Sequence, residues 1–338
     1  MPASGFLMQI DWQKNIPLLT RSRVFFRDSL LRYVHNPIQV FRRKNGYADK
    51  DIFKSIKIQT NYRCTRKCSY CHYGQANPPI NRELDEQLFY RIIDQLRSMR
   101  YRGRLGLFEI NEPLTDKRLP LFIRHTRSLL ADAWIYLTTN GDLLKDGSLE
   151  TLFKEGVNSI YLNSYDEKAF VRNRRFYNNL PSGSKKLVTH IDRTYQTTWN
   201  SRAGNIKEFQ GRTCSNPCDL VYDHCYIKPD GKVYSCINDF CGINEMGDLH
   251  TDSLLAIWHG DRFTRLRQQL NNGNRAANPL CSQCDYIGYS SLPRTPLQWT
   301  LRNLLSSLTI QQMPGNTPFP KTAGAIPTSY RVTTDDNE

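Results

Sequence analysis

The 338-residue chain has no run of about 18 apolar residues, so its sequence offers no membrane-spanning helix. Its opening stretch, MPASGFLMQIDWQKN, lacks the continuous apolar core of an export signal, and a cytoplasmic location is expected. Cysteine is missing from most of the chain: three of the ten fall at 64–71, seven at 214–284, and none elsewhere. In an unexported chain such clustering argues against a disulfide framework and for metal or redox chemistry. Acidic residues are the minority charge, 32 against 46 Lys and Arg, which leaves a net charge of +14. That field favours anionic partners: phosphates, nucleotide sugars, acidic peptides, nucleic acid or an acidic lipid surface. No internal repeat is present. What remains is 39% hydrophobic and 23% charged, the composition of a soluble globular protein long enough for two domains.

Residues 1–53 form a basic N-terminal extension. Arginines interleave with apolar residues over 21–43, as in amphipathic helices docked on a core, and peripheral contact with a membrane surface stays open as the alternative. From 54 to 204 short β-branched or aromatic runs alternate with helical stretches. Strands are expected at 56–60, 106–110, 134–140, 159–164 and 187–191, with helices at 82–100, around 118–131, in the segment ending at Gly156, and after Ser164. This rhythm predicts a parallel α/β sheet with its helices outside, curling into a partial, open, TIM-like barrel of about five to six strands. Residues 205–290 are Cys-rich with short turns and one helical stretch at 253–271, and 291–338 is a tail with no visible chemistry.

Cys64, Cys68 and Cys71 lie in NYRCTRKCSYCHYG with the spacing CxxxCxxC, and Tyr70 directly precedes the third. Three thiolates this close can hold three corners of a cubane iron–sulfur cluster, leaving one iron open. Zinc is the bland alternative, but it wants a fourth ligand, and His72 is adjacent rather than well spaced. The pattern resembles the cluster motif of the radical S-adenosylmethionine (SAM) superfamily. That resemblance implies a 4Fe–4S cluster chelated by SAM, reductive cleavage to a 5′-deoxyadenosyl radical, and hydrogen abstraction from a substrate. It also implies an electron donor of the flavodoxin or ferredoxin type.

Further positions extend the resemblance, each after an expected strand. EINEPLTD resembles the family's Gly-Gly-Glu-Pro segment, with Ile110 and Asn111 in place of the glycines and with Glu112 and Pro113 kept. Glu112 would accept a hydrogen bond from the SAM amino group. Asn140 belongs to a "TNG" turn, Ser164 stands where a hydroxyl often meets the ribose, and Arg172 could pair with the SAM carboxylate. Each has a plainer reading, as a turn residue or a solvated arginine.

Cys218 through Gly231 to Cys236 has the form C-x12-G-x4-C, followed later by Cys281-Ser-Gln-Cys284. Residues 218–284 resemble the SPASM/Twitch extension of radical SAM enzymes. With no cysteine after Cys284, the match is to the shorter Twitch form, with one auxiliary 4Fe–4S cluster on Cys218, Cys236, Cys281 and Cys284. Cys214 or Cys241 could replace one of these, and a zinc ribbon is the alternative for the CxxC element. Cys225 reads as a small buried hydrophobe. The ligand spacing and short barrel most resemble Twitch dehydrogenases that oxidise an aminocyclitol alcohol. Arg202, in SRAGN, is the candidate to bind an anionic group or help deprotonate a radical intermediate; its plainer reading is a residue that orients the junction before the Cys-rich segment.

The expected function is therefore oxidation or epimerisation of a polar small molecule, a sugar, cyclitol or nucleotide derivative. The alternatives are a maturase of a ribosomally made peptide and a non-catalytic iron–sulfur redox or binding protein.

Overall fold

The computed structural model describes residues 52–69, 71, 81–194, 201–206, 211, 213–286 and 288, together with the backbone of 331–332. Almost all of the expected N-terminal extension, most of the tail, and Tyr70 lie outside the described residues. The chain runs β1 (Ser55–Ile58), α1 (Glu86–Ser98), β2 (Arg104–Gly106), α2 (Leu119–Leu129), β3 (Trp134–Thr139), α3 (Ser148–Glu155), β4 (Ser159–Ser164) and α4 (Glu167–Asn179). It continues through a single turn, α5 (Ser182–Lys185), to β5 (Val188–Asp192). The Cys-rich segment adds α6 (Leu220–Asp223), β6 (His224–Ile227), β7 (Lys232–Tyr234), β8 (Glu245–Asp248), α7 (Leu254–His259) and α8 (Asp261–Asn271), and β9 is Arg331–Val332.

The strands form one sheet in the order β8-β7-β6-β1-β2-β3-β4-β5-β9. The six strands from β6 to β5 are parallel, while β7, β8 and β9 join antiparallel. β8 and β9 are the two ends of this order, so the sheet is open. The sixth parallel strand comes from the Cys-rich segment: β6 pairs with β1 from Ser55↔His224 to Ile58↔Ile227.

The two faces of the sheet differ. One in-register row, Cys225–Ile56–Leu105–Ile135, is apolar and fully buried. It faces the helices, whose apolar stripes read Leu88, Phe89, Ile92, Ile93 and Leu96 on α1, and Leu119, Phe122 and Ile123 on α2. Phe89 stacks on Phe122 with centroids 4.0 Å apart. The neighbouring row, Tyr226–Lys57–Gly106–Tyr136, points the other way, into the concave lumen. Gly106 is required there: a Cβ would stand 2.9 Å from the Phe108 ring and 3.2 Å from Tyr136.

Local signals explain the helix ends. Asp85 and Asp166 cap α1 and α4 by accepting the N–H of Leu88 and Ala169 at 2.8 and 2.7 Å. Gly156 ends α3 in the left-handed region at φ 113°, where a Cβ would also strike the Arg127 side chain. The expected 253–271 helix is two helices, because the chain is extended at Gly260 (ψ 166°) between α7 and α8. The second strand is displaced from its expected 106–110 to 104–106. Past Gly106 the chain leaves the ladder, and the Asn111 side chain, rather than a neighbouring strand, accepts the Glu109 N–H at 3.1 Å.

His190, on the helix side of β5, carries a testable consequence. It hydrogen-bonds with the Ser164 hydroxyl at 2.8 Å and stacks on Phe170. Burial, with the Arg174 charge adding to it, lowers its pKa to about 4, while Asp192 pulls the other way. The unfolded chain, with an ordinary value near 6.5, then binds more protons between these limits, so stability falls as the pH drops through that window. The loss should approach about 3 kcal/mol at the acid end. Urea unfolding of the wild type should therefore lose more stability between pH 6.5 and 4.5 than that of His190→Gln. Parallel pH slopes for the two proteins would refute this.

Candidate functional site

The loop that leaves β1 carries the three cysteines. Asn61 fixes its base: its Oδ1 accepts the Arg63 N–H at 3.0 Å, Asn111 Nδ2 at 3.2 Å and Thr115 Oγ1 at 3.2 Å. The Glu112 N–H donates to the Arg63 carbonyl at 2.9 Å, tying the loops after β1 and β2 together. Cys64, Cys68 and Cys71 are all part-exposed, and the Cys71 N–H donates to the Cys68 carbonyl at 3.0 Å. The three sulfurs are near neighbours. Burial pushes the Cys64 thiol up to about 12, and the charges of Glu112, Cys71 and Cys68 act in the same direction.

Glu112 is 2% exposed and braces the site. Its carboxylate accepts the Thr139 hydroxyl at 2.6 Å, the Asn140 N–H at 2.7 Å and the Leu114 N–H at 3.2 Å. Burial raises its pKa to about 7 against the pull of these donors. Each carboxylate oxygen offers two acceptor positions, so the set leaves room for one more donor. Asn140 donates to Thr65 Oγ1 at 2.9 Å and lies 4.0 Å from Cys64 Sγ, so Glu112 and Asn140 both meet the cysteine loop.

Of the other expected SAM contacts, Arg172 and Ser164 are engaged elsewhere. Arg172 pairs with Asp142 at 2.6 Å. The same carboxylate takes Arg66 in a two-pronged contact at 2.6 and 2.7 Å, and Arg66 also reaches Asp166. Ser164 is fully buried and turned towards the helix layer between His190 and Asn173, not towards the strand-end cleft. Tyr165, which the sequence reading missed, lies between Arg66 and Arg193 and within electrostatic reach of Cys68 and Cys71.

On the other side of the lumen, Cys218, Cys236, Cys281 and Cys284 line one cavity with Ala203, Ser235, Asn238, Arg275 and Tyr286. Burial raises all four thiols, Cys218 to about 11 and Cys281 to about 12, and their mutual charges add to it. The Asn238 N–H points at Cys236 Sγ at 3.4 Å, and Arg275 lowers Cys218, Cys281 and Cys284 in part. Among the described residues no three Cys, His, Asp or Glu side chains converge on a point fit for a single metal ion; the four sulfurs surround a volume instead. Cys214 is close enough to act on Cys284 but does not line the cavity, Cys241 is exposed, and Cys225 is buried in the helix-facing sheet row.

Arg202 and Ala203 both hold positive φ, 47° and 55°, and Ala203 lines the cysteine cavity. Ser201 pins this bend to the last two ligand candidates' loop: its N–H donates to Asp285 at 2.7 Å and its hydroxyl to the Gln283 carbonyl at 3.0 Å. The geometry therefore gives Arg202 a place at the junction, beside the cavity wall.

The residues fit iron–sulfur groups. Burial and neighbouring negative charge make the thiolates of Cys64 and of Cys218, Cys236, Cys281 and Cys284 costly, so they need a cationic core to stabilise them.

A parallel sheet with chemistry at the carboxyl ends of its strands, a three-cysteine loop after β1 and a second four-cysteine chamber define a class, and sequence-family comparison agrees. The radical SAM superfamily profile matches residues 58–178, and the SPASM iron–sulfur cluster-binding domain matches 218–285. The chain is a member of the radical SAM superfamily with a C-terminal SPASM domain. These domains imply a SAM-binding 4Fe–4S cluster and auxiliary cluster binding.

Among named proteins it is similar to the S-adenosyl-L-methionine-dependent 2-deoxy-scyllo-inosamine dehydrogenase of Niallia circulans. The identity is 27% over 237 residues, covering 70% of this chain and 94% of the relative. Its fold is similar to the crystal structure of BtrN in complex with AdoMet and 2-DOIA, with TM-score 0.64, 26% identity, and 70% and 94% of the two chains covered. An open conformation of BtrN gives TM-score 0.54 at 25% identity over the same shares. Among the described residues, no helix is long and apolar enough to cross a membrane.

Proposed function

We propose that the chain is a radical SAM dehydrogenase that oxidises an alcohol of a polyhydroxylated small molecule of the cyclitol class. The observation that carries this reading is the presence of two separate cysteine groups, the three-cysteine loop after β1 and the four cysteines around one cavity. The similarity to a cyclitol dehydrogenase across 94% of that relative's length supports it. Cys64, Cys68 and Cys71 would hold the cluster that SAM chelates, and Cys218, Cys236, Cys281 and Cys284 the auxiliary one. When bound, the first group supplies a radical able to remove a carbon-bound hydrogen, and the second an electron acceptor.

The chain's own residues do the rest. Glu112 and Asn140 lock the cysteine loop onto the ends of β2 and β3, and Glu112 keeps an acceptor position for the SAM amino group. The Asp142–Arg66–Arg172 network holds the loops after β1 and β3 and helix α4 in one arrangement. Arg172, held by Asp142, and Tyr165, within electrostatic reach of Cys68 and Cys71, are the candidates to meet the polar end of SAM. Tyr226 sits between the two halves: Cys236, Glu109 and Tyr136 all act on it. Arg202, at the cavity wall, is the candidate to approach substrate from the auxiliary side.

The test is anaerobic incubation of reconstituted protein with SAM, dithionite and 2-deoxy-scyllo-inosamine. The expected result is a ketone two mass units lighter than the probe, formed with 5′-deoxyadenosine in equal amount. SAM cleavage without oxidation of this probe or of related cyclitols would overturn the substrate class. No SAM cleavage at all would return the chain to a binding or redox-sensing role.

A further inference from the structure

Glu109 has no part in the bracing just described, yet its setting is unusual. It is 8% exposed, and among the described residues neither carboxylate oxygen has a hydrogen-bond partner. It stands three residues before Glu112, where the chain has left β2 after Gly106. The charges around it come from both sides of the chamber. Lys57 belongs to the inward row of β1, where its ammonium lies 5.0 Å from the Phe108 ring centroid and 5.9 Å from that of Tyr226. Lys228, Asp230 and Asp239 belong to the segment that carries Cys236. Lys228 is itself occupied, donating to the Asp239 carbonyl.

A buried acceptor without a donor is destabilising, and more so when it is charged. Here burial outweighs the attraction of Lys228 and Lys57, with Asp239 and Asp230 opposing them, and the carboxyl's pKa is raised to about 7. A native chain keeps such a group where something other than the fold supplies its partners. In this position the missing partners are O–H or N–H donors of whatever occupies the lumen.

We propose that Glu109 holds the substrate in the lumen, its two free carboxylate oxygens accepting hydrogen bonds from neighbouring hydroxyl or ammonium groups of a polyhydroxylated ring. The inference rests on the proposed function and assigns that function's substrate contact to a residue on the β2 side of the chamber. A substrate lacking donors at adjacent positions would leave the carboxylate as unsatisfied as before and would bind poorly.

The test uses reconstituted wild-type and Glu109→Gln protein with 2-deoxy-scyllo-inosamine as the probe. The variant should raise KM for the probe by about tenfold or more, the loss of one charged hydrogen bond. Iron content and probe-independent SAM cleavage should be unchanged. The same variant should melt at a higher temperature than the wild type at pH 8 without probe, because it removes an ionised group that the empty lumen leaves unpaired. An unchanged KM, or a lower melting temperature, overturns the assignment, the latter by making Glu109 a structural residue. If the wild type neither binds nor oxidises the probe, the proposed function fails on its own. The melting comparison then still decides whether Glu109 is an unsatisfied ligand-facing group.

Discussion

Alanine at Cys64, Cys68 or Cys71 should abolish release of 5′-deoxyadenosine from SAM by the dithionite-reduced protein. The site has three thiols and no fourth within its loop, so losing one removes a third of the cluster's protein ligands. Among the described neighbours, Glu112 is already held by Thr139, Asn140 and Leu114, and Asn140 by Thr65. Binding iron also means ionising Cys64, whose thiol burial pushes up to about 12. The remaining pair must meet that cost with fewer iron bonds. The measurement is chromatographic detection of 5′-deoxyadenosine beside iron and sulfide analysis. A variant that cleaves SAM at a rate comparable to the wild type would dismiss the triad as the SAM-binding centre.

The double replacement Cys281→Ala with Cys284→Ala should have a different effect of similar size. Iron should fall by about four atoms per chain, one cubane. SAM cleavage should persist, and oxidation of the alcohol substrate should be lost. The two clusters separate in this way because their ligands occupy different parts of the fold. The triad hangs from β1, whereas the second chamber is walled by the segment before α6, the turn after β7 and the loop after α8. Unchanged iron content would remove these two cysteines from the ligand set. Cys214, which lies within reach of Cys284, would then be the next residue to replace.

The local parts of this protein were legible in its sequence. β4 runs over 159–164 as expected, α3 ends at Gly156, and β3 differs by one residue, because alternation and capping act over a few positions. β2 was misplaced for an equally physical reason. Leu107 and Phe108 are apolar enough to read as strand, but Phe108 turns its ring into the lumen over Gly106, and the ladder ends. Ser164 was placed correctly at the end of β4, yet parity along the strand puts its hydroxyl against His190 rather than in the cleft. Arg172 lies where the sequence suggested, but Asp142 holds it.

The sequence alone determined the chemistry of initiation. CxxxCxxC is a loop seven peptide bonds long from first to last cysteine, so its three sulfurs stay near one another whatever the rest of the chain does. The tertiary structure decided everything that depends on residues far apart in the chain. It joined Cys218 and Cys236 to Cys281 and Cys284 around one cavity, and it made β6 the sixth parallel strand by pairing it with β1. It also aligned Tyr226, Lys57, Gly106 and Tyr136 into one row, and left the two carboxylate oxygens of Glu109 without a donor among the described residues. Side-chain identity sets what a residue can do, but which face it occupies and what it is left without are properties of the sheet register and of packing between distant segments.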